Sequence, residues 1–293
     1  MSKKGISQRL YFTTFLCLIP LILFGLYKNG LQLYKKDLIT PILMLKPLII
    51  IAMSLAGSFI GTTIREFKSK NKDIHKILNN NKIIFLESII IALLMPINSS
   101  PIILFIAMII MSLFFRRFEL NRIALFYIGL EVINKIFGMN SFENLYEVSS
   151  MVKYNTMDMF LGFASGGICS TSVLLILIAL FVLMNNKIYK REIPVSSIIT
   201  YVILVSVFNM IKGDYVNILP TIFSYNVLFI YVFVAPNLYS SSYTEKGKML
   251  SGIVIGVLTF ILSFFTYYGS AIIACFIVSI LRNILDKPFI LKN

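Results

Sequence analysis

The chain is a succession of apolar stretches, several of which reach or approach the roughly 20 residues that span a hydrocarbon core as helix. In lipid every backbone polar group must be satisfied within the protein, so only helices and closed barrels cross. Stretches such as IIFLESIIIALLM and VLLILIALFVLM show no period of two, which argues against barrel strands. Composition agrees: 58% of residues are hydrophobic and only 14% charged, with mean hydropathy +0.86. A soluble domain would carry about a quarter charged residues. The sequence therefore predicts an all-α polytopic membrane protein rather than a soluble enzyme.

Ten candidate spans follow: 10–27, 41–64, 83–98, 101–115, 122–137, 166–185, 194–211, 217–235, 249–266 and 269–285. The first has no convincing small-residue cleavage site in LCLIPLILFGLYKNG and reads as a retained helix. The net charge of +14 is dispersed in short clusters between apolar runs, which fits membrane topology better than a nucleic-acid surface. With the N-terminus inside, all but Lys28, Lys35, Lys36, Lys46, Lys135, Lys153 and Lys212 of the 27 basic residues fall on one side. That bias places both termini in the cytoplasm and supports an even number of spans.

Ten spans divide into two five-helix sets of opposite orientation, as inverted repeats require. The division puts one repeat at 1–137, an extracytoplasmic connector at 138–158 and the second repeat at 159–293. The third span of each set ends in a helix-breaking cluster, Met95-Pro96-Ile97-Asn98-Ser99-Ser100-Pro101 in the first and Ala235-Pro236-Asn237-Leu238-Tyr239-Ser240-Ser241-Ser242 in the second.

After the connector comes Phe160-Leu161-Gly162-Phe163-Ala164-Ser165-Gly166-Gly167-Ile168-Cys169-Ser170-Thr171-Ser172, a run of small and hydroxyl residues opening an apolar helix. Such a run offers backbone N–H groups and the positive end of a helix dipole to an anionic or carbonyl-rich ligand. From composition alone, close helix packing through small residues is the favoured reading.

The stretch from Met157 through this tract to Glu192-Ile193-Pro194-Val195-Ser196 resembles the RnfD/NqrB family, whose counterpart reads approximately FLGxxPGSIGETS, an apolar helix, then RIPVS. A second stretch, Ala235 to Gly247 followed by GKMLSGIVIGVLTF, resembles that family's ATDPVTSPxTxxG and the helix after it. The early helices and ESIIIALLMPINSSP match more loosely. Family members are membrane subunits of the ion-translocating Rnf and NADH:quinone oxidoreductase complexes. The resemblance implies a subunit of an electron-transport complex in a bacterial cell (inner) membrane, in contact with other membrane and peripheral subunits. It implies flavin-mediated electron transfer that can be coupled to Na+ or H+ movement. The implied cofactor is FMN or riboflavin, with Ser165, Gly166, Gly167, Ser170, Thr171 and Ser172 as one half-site and Ser241, Thr244 and Gly247 as the other.

Departures from the pattern bear on that cofactor. Members with covalent FMN attach it through a threonine in a DxxSGAT-like motif before FLG; the nearest stretch here, Tyr146 to Val152, has Val152 at that position. Valine has no hydroxyl to esterify, so any flavin is expected to be noncovalent. The family's GGLGQNxFNPA is reduced to fragments across Arg116 to Ala124, the glutamate of GETS falls at Ser170, and the aspartate of TDP falls at Asn237. Two other readings stand beside the leading one: a small-solute channel or transporter lined by the two helix breaks, and a flavin-free scaffold subunit.

Charges at membrane depth are costly unless paired or hydrated. Glu131 lies mid-span with Lys135 one turn later, an arrangement for an i,i+4 pair or, more sharply, for an ion pathway. Glu87 and Lys46 lie near span ends and are expected to snorkel. His75 reads as a solvated residue of a basic loop. Cys17, Cys169 and Cys275 show no CxxC pairing and read as small packing hydrophobes. No Ser/His/Asp arrangement, HExxH or P-loop is present, so hydrolysis and phosphoryl transfer have no visible apparatus.

Overall fold

A computed structural model of the chain describes residues 3–68, 74–114, 120–137, 155–164, 166–224, 226–237, 241–266 and 269–290. Ser165, the Tyr146–Val152 stretch with most of the connector, residues 116–119 of the degraded glycine tract and the side chain of His75 lie outside the described residues.

Helices and turns make up the described chain, with no strand among those residues. The elements are α1 (Lys3–Leu26), continued by a π-helical turn (Tyr27–Leu31) into α2 (Gln32–Lys35); α3 (Pro41–Met44); α4 (Lys46–Lys68); α5 (Ile74–Asn80); α6 (Lys82–Leu94); α7 (Pro101–Phe114); α8 (Arg122–Ile136); α9 (Thr156–Leu161); α10 (Val173–Met184); α11 (Glu192–Lys212); α12 (Ile218–Phe223); α13 (Val227–Phe229), continued by a second π turn (Ile230–Val234); α14 (Glu245–Ser263); and α15 (Ser270–Ile290). Apolar side chains of most of these helices form one continuous core, while leucines and isoleucines such as Ile42, Ile102, Ile178 and Ile284 stay exposed, as suits lipid-facing surfaces.

All ten predicted spans fall at least partly on helix, but their lengths differ from expectation. Among the described residues, four helices are long and apolar enough to cross a bilayer, Arg9–Lys35, Lys46–Phe67, Glu192–Lys212 and Glu245–Ser263; Tyr215–Phe223 and Val227–Val234 form a fifth only if the pair, bent by 49°, is one span. The helices α6, α7 and α10 have 13, 14 and 12 residues. At 1.5 Å per residue each covers only about 20 Å of a hydrocarbon core some 30 Å thick. Among the described residues, the ten expected spans are thus not all full crossings.

Local chemistry explains the interruptions. The helix of the third span stops at Leu94 because Pro96 lacks an N–H, and Met95 is extended. The sixth starts only at Val173, where Ser172 caps the helix by accepting from the Leu175 N–H. The eighth is broken at Asn226, held at φ +59°, a left-handed conformation that asparagine tolerates better than most residues. The short helices α6 and 227–234 run antiparallel. The end of α6 and Asn226 both meet the 166–170 tract, whereas Asn237, beyond the end of 227–234, reaches Glu87 in the second turn of α6.

Two helix pairs pack through GxxxG spacings, which let backbones approach closely. On α4, a Cβ at Gly57 or Gly61 would come within 2.4 Å of the Phe105 carbonyl oxygen or 2.6 Å of that of Ile109, both on α7. On α14, a Cβ at Gly252 would come within 2.5 Å of the Ile193 carbonyl on α11, and one at Gly256 within 2.9 Å of the Ser197 carbonyl. The three cysteines are buried and unpaired with one another, and Cys169 packs against Gly25 of α1.

Candidate functional site

The two tracts singled out in the sequence fold into two separate buried polar clusters, one on each side of the antiparallel short helices. In the first, the described residues of 162–172 pack against α1, the end of α6 and the Asn226 break. The Gly167 N–H and the Ser170 hydroxyl both donate to Asn226 Oδ1, at 3.2 and 2.8 Å. The N–H groups of Ile168 and Cys169 donate to the carbonyls of Met95 and Leu93, at 2.9 and 3.1 Å. These bonds satisfy carbonyls that the ending helix would otherwise leave orphaned. Thr171 donates to the Gly162 carbonyl at 2.8 Å, and Lys28 of the first π turn donates to Thr171 Oγ1 at 3.1 Å and to the Ala164 carbonyl. Gly166 is held at φ +157°, beside Asn226 and Thr171. Ser170, Thr171 and Ser172 are all buried.

The second cluster gathers Ser241, Thr244 and Gly247 around Asp286 of α15. Asp286 is 1% exposed and accepts from the Tyr243 N–H at 2.9 Å, the Thr244 N–H at 3.3 Å and the Thr244 hydroxyl at 2.8 Å. Thr244 in turn caps α14 by accepting from the Gly247 N–H at 3.0 Å. Lys190 donates to the hydroxyl and carbonyl of Ser241, and the Arg282 guanidinium lies over the Tyr243 ring. Burial, with Lys248 and Arg282 nearby, pushes the Lys190 ammonium down from its ordinary value of 10.5 to about 8.

Lys190 gives a pH prediction whose sign follows from linkage. Because its folded value lies below its unfolded one, the unfolded chain binds more protons between about pH 8 and 10.5, so stability rises with pH across that window. The unfolding midpoint of the detergent-solubilised protein is expected to gain from pH 8 to 10 relative to Lys190→Met, which lacks the titrating group. Parallel profiles for the two proteins would refute it.

Between the clusters lies a buried ion pair that the apolar pattern does not announce. Glu87, expected to snorkel, is instead 3% exposed, with Arg122 Nη2 at 2.9 Å from Oε1 and Nε at 3.1 Å from Oε2. Asn237 Nδ2 donates to the same Oε1 at 3.1 Å, and Asn121 beside Arg122 donates to the Val234 carbonyl at 3.0 Å. A small cavity of about 70 Å³, lined in part by Tyr11, Thr14, Glu87, Tyr189 and Asn237, opens alongside. Glu131 makes the i,i+4 contact with Lys135 at 3.9 Å, with the lysine largely exposed and the glutamate facing the backbone at Gly269. Asn226, Asp286, Arg122 and Lys28 carry no local signal in the sequence, because each gains its role from partners far along the chain.

Whether these residues fit a flavin can be judged from their partners and from the space around them. Of the nine, Gly167, Ser170, Thr171, Ser172, Ser241, Thr244 and Gly247 spend polar groups on intramolecular bonds. A Cβ at Gly167 would meet Ser170 Oγ at 2.4 Å, and the cavity beside Ser241 is about 10 Å³. A ligand of drug size fills a few hundred Å³. A groove of about 480 Å³ between α11 and α14 is lined by none of the nine. Among the described residues, both tracts are closed by their own hydrogen bonds rather than turned toward a flavin-sized space.

Apolar helices around polar, interrupted helix ends define a multi-pass membrane protein. The model of the NQR2, RnfD, RnfE family matches residues 125–292, more than half of the chain, and the chain belongs to that family. It is 36% identical over 111 residues to the NqrB component of the Na(+)-translocating NADH-quinone reductase of Azotobacter vinelandii, covering 35% of this chain and 27% of that protein. It is 29% identical over 91 residues to the RnfD component of the ion-translocating oxidoreductase complex of Haemophilus ducreyi, covering 31% and 26%. A match to the NqrB component of Klebsiella pneumoniae is 28% identical over 125 residues, covering 40% and 29%. The matched region thus spans less than a third of the length of these relatives.

Proposed function

We propose that the chain is a membrane subunit of an ion-translocating electron-transfer complex, seated in a bacterial cell membrane with both termini cytoplasmic and held to other subunits. The observation that carries this reading is the family match over 125–292, which takes in both buried tracts. The proposed architecture is two inverted five-helix halves. It is supported by the equivalent pairings of α4 with α7 and α11 with α14, and by the antiparallel course of α6 and 227–234.

The resemblance brings a noncovalent flavin with it, FMN or riboflavin, and the relatives' roles bring ion translocation. The closed packing of Gly166–Ser172 and Ser241–Gly247 favours a second reading within the same class, a scaffold subunit that keeps the fold without the cofactor. In either case this chain's own residues do the same work: they close helix breaks, exclude water and hold the halves together. An absorption and fluorescence spectrum of the detergent-purified protein, before and after acid precipitation, separates the two. Flavin released to the supernatant is the result expected of the electron-carrying subunit; a folded, colourless protein establishes the scaffold. Flavin retained in the pellet would overturn the noncovalent assignment that rests on Val152.

A further inference from the structure

The first span holds a lysine that the proposed electron transfer does not use. Lys28 is 1% exposed and sits in the π-helical turn Tyr27–Leu31. A π turn inserts an extra residue into the helical repeat, and here Lys28, Asn29 and Gly30 are all buried. The ammonium donates to the Ala164 carbonyl and, at 3.1 Å, to Thr171 Oγ1. The Thr171 hydroxyl gives its own proton to the Gly162 carbonyl at 2.8 Å, which leaves its oxygen lone pairs to face Lys28. Asn29 Nδ2 donates to the Ile168 carbonyl at 2.6 Å and so fixes the loop that supplies these oxygens.

Carbonyl and hydroxyl oxygens from irregular backbone inside a helix bundle are the ligand set that membrane proteins give to monovalent cations. Burying a charge at membrane depth is costly, and a neutral side chain of similar length would fill the same space at lower cost. The geometry points to a monovalent-cation site formed by the Ala164 carbonyl and the Thr171 hydroxyl and filled by the chain's own Lys28 ammonium. A free cation can enter only by displacing a charge that is covalently tethered, so ions that the complex moves take another route. The assignment holds whether or not a flavin is bound.

The test uses the full chain in detergent and a thiol-reactive fluorogenic dye, since all three cysteines are buried until the protein unfolds. Melting is compared in ammonium, sodium, potassium and choline chlorides at equal ionic strength. Wild type is expected to melt at one temperature in all four. Lys28→Ala is expected to melt about 5–10 °C lower in choline and to regain at least half of that loss in ammonium, sodium or potassium. Equal melting of Lys28→Ala in choline and in every small cation, or a wild-type midpoint that itself rises with a small cation, overturns the assignment. If Lys28→Ala does not fold, Thr171→Val and Thr171→Ser decide: serine keeps the oxygen ligand and should melt as wild type does, whereas valine should lose several degrees. A valine variant as stable as wild type overturns the site.

Discussion

Arg122→Met is expected to destabilise the protein by about 3–5 kcal/mol, because it leaves the Glu87 carboxylate buried without its guanidinium, with Asn237 still donating to it. Glu87→Gln should also destabilise, by removing the carboxylate charge that faces the guanidinium, although the amide oxygen can still accept from Asn237. The informative variant is the double one. Replacing a buried ion pair by apolar groups of similar volume is often neutral or stabilising, so Glu87→Met with Arg122→Met should recover most of either loss. A melting cycle of wild type, both singles and the double reads the coupling directly. Single variants as stable as wild type would show that the pair is hydrated rather than buried. The pair joins α6 to α8 and, through Asn237, to the end of the 227–234 helix, so its loss should also loosen those contacts.

Gly252→Leu is expected to abolish folding altogether. The ideal Cβ position at Gly252 is 1.9 Å from Ser196 Oγ and 2.5 Å from the Ile193 carbonyl oxygen. The hydroxyl can rotate away, but the carbonyl belongs to the backbone of α11 and moves only if the helices separate. Gly252→Ala should therefore cost about 1–3 kcal/mol, in the range of overpacked cores. Ser196→Ala added to it should return only part of that loss, since the Ile193 clash remains. Size-exclusion profiles and thermal unfolding of the alanine variant, alone and with Ser196→Ala, check this order. Full recovery by Ser196→Ala would mean that the hydroxyl, not the backbone, sets the approach of α14 to α11.

The positions of the helices are legible in the sequence because apolar runs report lipid exposure and burial directly. Their lengths are not. Hydrophobicity says that a residue is out of water, but whether its N–H joins a helix depends on partners elsewhere. Ile168 and Cys169 are as apolar as a helix interior, yet their N–H groups close the end of α6. Both polar tracts are readable as unusual, since small and hydroxyl residues interrupt apolar sequence at each. Their occupants are not readable: Asn226, Asp286 and Lys28 lie tens of residues away from the atoms they hold. Glu87 defeats a local reading for the same reason. Its partner Arg122 is 35 positions on, and a carboxylate five residues from the start of a helix looks like one that can reach water. The GxxxG spacings at Gly57–Gly61 and Gly252–Gly256 are in plain view but need the partner helices to show which faces they open.

The antiparallel course of α6 and 227–234 has an electrical consequence. A short helix carries roughly half an elementary charge at each end, positive at its start and negative at its finish. Moving a full charge through a 100 mV membrane potential is worth about 2.3 kcal/mol. A 13-residue helix covers about two thirds of the hydrocarbon core, so α6 alone couples to such a voltage by somewhat under 1 kcal/mol. Its counterpart points the other way and couples with opposite sign. Being eight residues long against thirteen, it offsets more than half of that coupling, so energising the membrane pulls less on the pair than on α6 alone.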